Sequence, residues 1–430
     1  MGYSERNQNS FHLACIQTAS LGLPGILTAP QLAQKYGAGT AALSSIISGL
    51  VLWLIGFAIV SMAIEQRRNA IENAQAYIGL IGAAFAALIS IIGFPIWYVD
   101  QLHKTTGSIA NFIIETSGLE IINKICGPIL AVFVVIFTLV KVIRFIKNLT
   151  VVFLPILLCY YIYLMIFSKG TTSFTQFELS ASCILSFISF LFAGMVNLPT
   201  FFQHARSKYD SYLSLTWITL IVVFFQISSI WISETLVNNF IPFAIPAHAN
   251  LFWTLILKLT NIIFLVTLLI CSNLVNLYFS YPSWETLFPK IKKYNKLLII
   301  GIFNTLLCFT TLIIPKLYNL LININFVADY FVANLGVSLI LIFLVREIVR
   351  HRPTALEKVI STTSWIIGCS VTLYSAIKGF KTPLLWGIGA TSLSFILAFF
   401  IEEPFWSMKQ LKDTLSSKKE KVSSDKHRGS

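Results

Sequence analysis

The sequence predicts an all-α polytopic membrane protein with twelve transmembrane helices. Of its 430 residues, 56% are hydrophobic and only 11% are charged, whereas a soluble domain carries about 25% charged residues. Apolar runs of about 20 residues, the length that crosses a bilayer as a helix, recur along the chain. Period-2 alternation, the pattern of a membrane β-barrel, is absent. This composition disfavours soluble enzymes, disordered proteins and nucleic-acid-binding proteins, and it makes the lipid bilayer the expected environment.

Twelve apolar runs define the predicted spans. They cover approximately residues 12–34, 38–64, 78–101, 126–144, 147–168, 179–205, 211–237, 250–280, 297–320, 327–350, 357–378 and 382–405. A polar segment, residues 1–11, precedes them. A basic tail, residues 406–430, follows them, and it is expected to be disordered because it has almost no apolar residues.

Lysine and arginine are distributed unevenly between the two sets of alternating connections. Of the 31, 23 lie on the side that holds both ends of the chain and seven lie on the opposite side. Cytoplasmic loops carry the excess of positive residues. Both termini are therefore expected in the cytoplasm, with the chain in the cell (inner) membrane. The net charge of +13 is then a topology signal and not a nucleic-acid-binding patch.

Helix-breaking residues cluster in the first and sixth spans. They are Gly22, Pro24, Gly25 and Pro30 in the first span, and Gly194, Asn197 and Pro199 in the sixth. These positions predict a discontinuous helix at the start of each of two five-span halves, residues 12–168 and 179–350. Because five is odd, the halves have opposite topology, which is the 5+5 inverted repeat of secondary transporters. Two further C-terminal helices, residues 357–405, lie outside the repeat.

Three short motifs resemble those of the nucleobase–cation symport family, especially cytosine permeases. They are Pro199-Thr200-Phe201-Phe202-Gln203-His204-Ala205-Arg206, Ser272-Asn273-Leu274-Val275-Asn276-Leu277-Tyr278 and Phe94-Pro95-Ile96-Trp97-Tyr98. The resemblance covers roughly residues 12–352 and implies the leucine-transporter fold of the amino acid–polyamine–cation superfamily. The chain departs from the family pattern at Gln203, which stands where the family has Arg, and at Phe94, which replaces a Gln. The first helix looks as much like those of amino-acid transporters with this fold.

The resemblance implies a substrate site that holds a flat ring. Its expected residues are Trp97, Phe190, Asn273, Phe94, Gly194 and Asn197. Trp97 and Phe190 would stack on the two faces of the ring, and the Asn273 amide would form hydrogen bonds with its polar edge. Each of these three has a structural alternative: an interfacial belt residue for Trp97, ordinary packing for Phe190 and interhelical hydrogen bonding for Asn273.

The resemblance also implies a cation site between the first and eighth spans. Carbonyl oxygens near Gly22, Leu23 and Gly25 would contribute ligands, together with the hydroxyl of Ser272. The coupling ion is expected to be Na⁺ or H⁺. Lys258 is an ionisable residue inside a predicted span. It is either a functional charge or a side chain that snorkels to the interface.

The sequence predicts no enzyme and no cofactor. It has no Walker loop and no HExxH motif, and its seven cysteines are scattered without a CxxC pair, which disfavours a transition-metal site. The expected function is cation-coupled import of a small planar solute, a nucleobase or related heterocycle. The alternative is a cation-coupled amino-acid transporter of the same fold. The substrate is the only partner expected besides lipid, and no oligomeric state is predicted.

Overall fold

The computed structural model describes residues 8–117, 122–138, 142–167, 174–232, 251–349, 353–380 and 382–401, and these are almost all helical. The helices are α1 (Ser10–Tyr36), α2 (Ala38–Gln66), α3 (Ala70–Ser117), α4 (Ile122–Thr138), α5 (Val142–Phe167), α6 (Ala181–Val196), α7 (Pro199–Phe202), α8 (Lys208–Trp231), α9 (Leu251–Leu287), α10 (Lys293–Ile313), α11 (Pro315–Val349), α12 (Ala355–Ile377) and α13 (Pro383–Ile401). The predicted N-terminal segment up to residue 7 and the basic tail lie outside the described residues.

Several helices are long and apolar enough to cross a membrane. Within the described residues there are seven, namely α2, α3, α8, α10, α11, α12 and α13, and the bent pair of α6 and α7 makes an eighth. Large apolar side chains cover their outer faces, for example Leu80, Ile81 and Leu393, each at least 60% exposed. A surface this apolar is stable in lipid and not in water. The chain is therefore a multi-pass membrane protein.

Five helices surround the centre of the molecule. Helix α3 packs extensively against α9 and α11, and α6 packs against α11, α2 and α1. Helix α1 contacts α8, α5 and α9 as well. This arrangement brings α1, α3, α6, α9 and α11 together around one central region.

The first helix is continuous, so the prediction that it is broken is wrong. Helix α1 runs from Ser10 to Tyr36 without interruption, although it contains Pro24 and Pro30. Each proline removes one backbone donor but leaves the helix intact, because neighbouring helices support it. The carbonyl oxygens that lose their helical partners are those four residues earlier, at positions 20 and 26.

The break in the sixth span is confirmed. Helix α6 ends at Val196, Asn197 caps it, and Pro199 begins the short helix α7. The segments Ala181–Ser189 and Gly194–Phe202 of this span are bent by 45° relative to each other. Proline fits the first turn of a helix because the missing N–H has no partner there in any case.

The boundary between the ninth and tenth predicted spans is wrong. The sequence placed it between residues 320 and 327, but α10 ends at Ile313 and α11 begins at Pro315. Ile314 is extended, with φ −120° and ψ 85°, as expected for a residue that precedes proline. Helix α11 consequently starts about three turns earlier than predicted.

Candidate functional site

A central cavity of about 60 Å³ lies between α3, α6, α9 and α11. Its lining residues are Leu21, Ile89, Ser90, Gly93, Phe94, Trp97, Gln101, Gly194, Asn197, Asn276, Phe279, Ala328, Asp329 and Val332. The volume is several times the roughly 10–15 Å³ that one water needs. A mostly apolar cavity with a few converging polar groups is the usual form of a small-molecule site.

Aromatic side chains form one wall of this cavity. Phe94 of α3 and Phe279 of α9 lie with ring centroids 5.7 Å apart. Phe279 in turn meets Phe201 edge to face, with centroids 5.2 Å apart. Of these aromatic residues, Phe94 and Phe279 line the cavity together with Trp97. Their rings offer flat apolar faces on which a ring can stack, worth about 1–3 kcal/mol per nucleobase.

Two amide side chains form a polar end of the cavity. The Oε1 atom of Gln101 accepts hydrogen bonds from Ser272 Oγ at 2.8 Å and from Asn276 Nδ2 at 3.2 Å. These bonds leave the Gln101 NH₂ group and the Asn276 carbonyl oxygen without partners among the described residues. Both side chains line the cavity. They therefore present a donor and an acceptor side by side.

The carboxylate of Asp329 is the second polar group that lines the cavity. The indole N–H of Trp97 donates to Asp329 Oδ1 at 3.0 Å, and the Asn325 amide donates to Asp329 Oδ2 at 3.3 Å. The bond to Trp97 joins α3 to α11 and fixes the orientation of the indole ring. Asp329 also lines a second cavity of about 190 Å³.

Helices α1 and α6 approach closely at Gly194. A Cβ atom at this position would lie 2.4 Å from Leu21 Cδ2, which is closer than non-bonded atoms tolerate. Leu21 and Gly194 both line the cavity. The absence of a side chain at Gly194 therefore lets the first and sixth spans close around the site.

The structure brings together four of the six predicted substrate residues. Trp97, Phe94, Gly194 and Asn197 all line the central cavity. Asn273 does not line it; this residue is fully buried, and both of its side-chain amide atoms lack hydrogen-bond partners among the described residues. The side chain of Phe190 lies outside the described part of the chain.

The predicted cation ligands are described only in part. The surroundings of Gly22 and Leu23 lie outside the described part of the structure. Gly25 is buried, and a Cβ atom at this position would lie 3.3 Å from Gln226 of α8. Ser272 is fully buried and donates its hydroxyl proton to Gln101. The side chain of Lys258 also lies outside the described residues. The cation site stays a prediction.

Five polar or aromatic residues of the cavity were not predicted as site residues: Ser90, Gln101, Asn276, Phe279 and Asp329. Gln101 supplies the amide on the third span that the Phe94 substitution was expected to remove. Helical spacing could have identified it, because Gln101 follows Trp97 by four residues and lies on the same face of α3. The same spacing links Asn276 to Ser272 on α9.

Solved transporter structures have the same fold over nearly the whole chain. Mhp1, a nucleobase-cation-symport-1 family transporter in a closed conformation with bromovinylhydantoin bound, is 16% identical with a TM-score of 0.66, covering 94% of each chain. A Na⁺-coupled sialic acid symporter, substrate-bound and outward-open, is 13% identical with a TM-score of 0.62, covering 94% of this chain and 91% of its own. A manganese transporter of Eremococcus coleocola is 11% identical with a TM-score of 0.54, covering 94% of each chain.

These likenesses establish the fold. No protein-family model and no curated protein sequence matches the chain, and identities this low carry no residue roles from one protein to another. The leucine-transporter-like fold predicted from the motifs is confirmed, and the structural relatives are transporters and not enzymes. The number of twelve spans and the 5+5 repeat stay predictions.

Proposed function

We propose that the chain is a cation-coupled symporter that imports a small planar solute, a nucleobase or related heterocycle. The central cavity carries the proposal, because it combines aromatic faces with a neutral donor–acceptor pair. The structural likeness to Mhp1 and to the sialic acid symporter supports secondary transport. We place the protein in the cell (inner) membrane with both termini in the cytoplasm, as the distribution of basic residues indicates.

The amide pair of Gln101 and Asn276 matches the edge of a heterocycle. Nucleobases and hydantoins carry a ring N–H next to a ring carbonyl. The Asn276 carbonyl can accept from such an N–H while the Gln101 NH₂ group donates to the neighbouring carbonyl. An unmade bond of this kind in a buried site costs about 1–3 kcal/mol, so the pair selects solutes that satisfy both groups.

An amino-acid substrate fits the site less well. Its carboxylate needs positive charge or free backbone N–H groups, which a broken helix end would supply. Helix α1 is continuous, and no described residue that lines the cavity is positively charged. The alternative amino-acid transporter has support from the break after α6 and from Asp329, which can accept from an ammonium group, but no described lining residue offers its carboxylate a positive charge.

Helix contacts support the inverted repeat. If α1 corresponds to α6 and α2 to α8, the packing of α1 against α8 is matched by that of α6 against α2. Likewise, if α5 corresponds to α11, the packing of α1 against α5 is matched by that of α6 against α11. Two structurally equivalent halves produce such pairs of matched contacts. In transporters with inverted repeats, rocking of one half against the other gives alternating access.

The second cavity supports entry of the solute from the side of the membrane on which α6 begins. The second cavity lies there, between the first turns of α6 and α13 and the middle of α11. At the other end of α6, Arg346 pairs with Glu65 at 3.0 Å, and the backbone of Gln8 bonds those of His204 and Arg206. The ion pair holds α2 to α11, and the backbone bonds hold the segment before α1 to the residues after α7, both on the side proposed to be cytoplasmic.

We place the coupling cation, Na⁺ or H⁺, between α1 and α9. The carbonyls at positions 20 and 26 have no helical partner, whereas those of Gly22, Leu23 and Gly25 require α1 to unwind locally before they can bind an ion. Ser272 can still accept through its oxygen lone pairs while it donates to Gln101. These oxygens are the hard ligands that Na⁺ prefers.

Ligand-induced thermal stabilisation of the purified protein tests the proposal. A panel of nucleobases, hydantoins and amino acids is added to the wild type and to Gln101→Leu. We expect a heterocycle to raise the melting temperature of the wild type and to have a smaller effect on the variant, since ligand binding stabilises the folded state. Stabilisation by an amino acid alone would contradict the proposal.

A further inference from the structure

Asp329 has no positively charged partner in the described part of the chain. Its two carboxylate oxygens accept only from neutral donors, the Trp97 indole and the Asn325 amide. The Oδ1 atom of Asn325 is buried and has no hydrogen-bond partner in this part either. Three acceptor oxygens thus lie together at membrane depth, where an uncompensated negative charge is unfavourable.

Asp329 stands between the two cavities. It lines both the central cavity and the cavity that reaches the first turns of α6 and α13. A solute in either cavity can therefore contact this residue. The position therefore suits a group that binds the solute itself and not only a neighbouring helix.

Asp329 and the amide pair line the same cavity, which borders the rings of Phe94 and Phe279. Trp97 contacts Asp329, and Gln101 lies four residues further along α3, which is about 6 Å along the helix axis. A flat ring of ordinary size can therefore contact the amides at one edge and the carboxylate at the other.

We propose that Asp329 binds a nitrogen donor group of the solute, a neutral amino group or a protonated amidine, at the edge of its ring opposite the amide pair. The proposal rests on the proposed function and narrows its substrate class to amino-bearing heterocycles. A carboxylate accepts hydrogen bonds from such groups, as it does from the exocyclic amine of cytosine. An oxo group in the same position is itself an acceptor, so its oxygen and the carboxylate oxygens would repel each other. Anionic solutes are rejected for the same reason.

The test uses matched pairs of probes that differ mainly in this group. Cytosine is compared with uracil, adenine with hypoxanthine, and benzamidine with the neutral benzamide, in equilibrium binding to the purified full-length protein. The wild type should prefer the first member of each pair by about 5- to 150-fold. Asp329→Asn, which keeps an acceptor for Trp97, should abolish this preference, and Asp329→Glu should retain it.

Asp100→Asn is the matched control. The Asp100 carboxylate accepts from the Tyr318 hydroxyl at 2.8 Å and does not line the central cavity, although its charge acts on Asp329. The variant removes this neighbouring charge and leaves the Asp329 acceptor in place, so it should keep the wild-type preference. Melting temperatures without ligand show whether each variant is folded. If Asp329→Asn does not fold, Asp329→Ser replaces it as the variant without a carboxylate, and a wild type that shows no preference still overturns the proposal.

The outcomes separate this inference from the proposed function. Equal affinities within each pair for the wild type, or a preference that survives Asp329→Asn, would overturn the role of Asp329 while heterocycle binding stands. An Asp329-dependent preference for benzamidine without any heterocycle binding would overturn the proposed function and the narrowing to amino-bearing heterocycles, while the contact between Asp329 and a nitrogen donor group would stand. If Asp329→Asn changes only the Na⁺ dependence of binding, Asp329 is an ion ligand and the proposal is overturned. If none of the probes binds, both the proposed function and the role of Asp329 are overturned.

Discussion

Replacing Asn276 by alanine should weaken substrate binding, and the neighbouring Asn273→Ala is its matched control. Both residues are asparagines on α9, but only Asn276 lines the central cavity. Asn276 donates to Gln101 at 3.2 Å and leaves its carbonyl oxygen to accept from the substrate. The variant removes that acceptor and also releases Gln101 from one of its two hydrogen bonds.

The expected loss follows from the bond that the substrate can no longer make. A buried donor left without its acceptor costs about 1–3 kcal/mol, which corresponds to about 5- to 150-fold in Kd. Asn273 is fully buried, and its amide atoms have no partner among the described residues. Its removal therefore breaks no described hydrogen bond, and we expect a change in affinity of less than about 2-fold.

Equilibrium binding of a radiolabelled nucleobase to the two purified variants measures both effects. Melting temperatures without ligand control for folding. If Asn273→Ala weakens binding by an order of magnitude while Asn276→Ala binds like the wild type, the edge-reading amide is Asn273. The assignment of the central cavity would then be wrong.

Three further predictions concern the ring, the ion and the topology. Trp97→Ala should weaken nucleobase binding by about 5- to 150-fold, because one stacking face is worth about 1–3 kcal/mol; unchanged affinity would exclude a stacked ring. Ser272→Ala should raise the Na⁺ concentration for half-maximal uptake at equal protein level, whereas uptake that ignores Na⁺ and follows a proton gradient would remove this role. Leu179→Cys, 76% exposed in the wild type, should react with an impermeant thiol reagent from outside intact cells in a Cys159→Ser background. Labelling only after permeabilisation would contradict the predicted orientation.

The seven apolar spans of the described residues could be predicted, because the hydrophobic length of a run depends on local composition. The broken first helix could not, since proline alone does not decide a break in a packed membrane helix. Pro95, Pro128, Pro155 and Pro282 also lie in helical backbone, and the kink inside α3 is at Gly79 (φ 79°, ψ 177°) and not at Pro95. The break occurs instead after α6, where Asn197 caps one helix and a proline begins the next.

The missed site residues share a cause. Gln101 is the last residue of the predicted third span, and Asp329 is the third residue of the predicted tenth span. Polar side chains lower the hydropathy of a window, so they were assigned to span ends. Helix α3 continues to Ser117 and α11 begins at Pro315, which places both residues inside their helices. A polar residue that ends an apolar run is therefore a candidate for the site.

The central claim is that the chain uses a cation gradient to accumulate a planar heterocycle. Uptake into proteoliposomes, with radiolabelled nucleobases and amino acids and with an imposed Na⁺ or H⁺ gradient, tests it directly. We predict that at least one nucleobase accumulates above its external concentration, that dissipating the gradient abolishes this, and that Gln101→Leu transports poorly. Gradient-driven accumulation of amino acids, with no uptake of any heterocycle, would contradict the account.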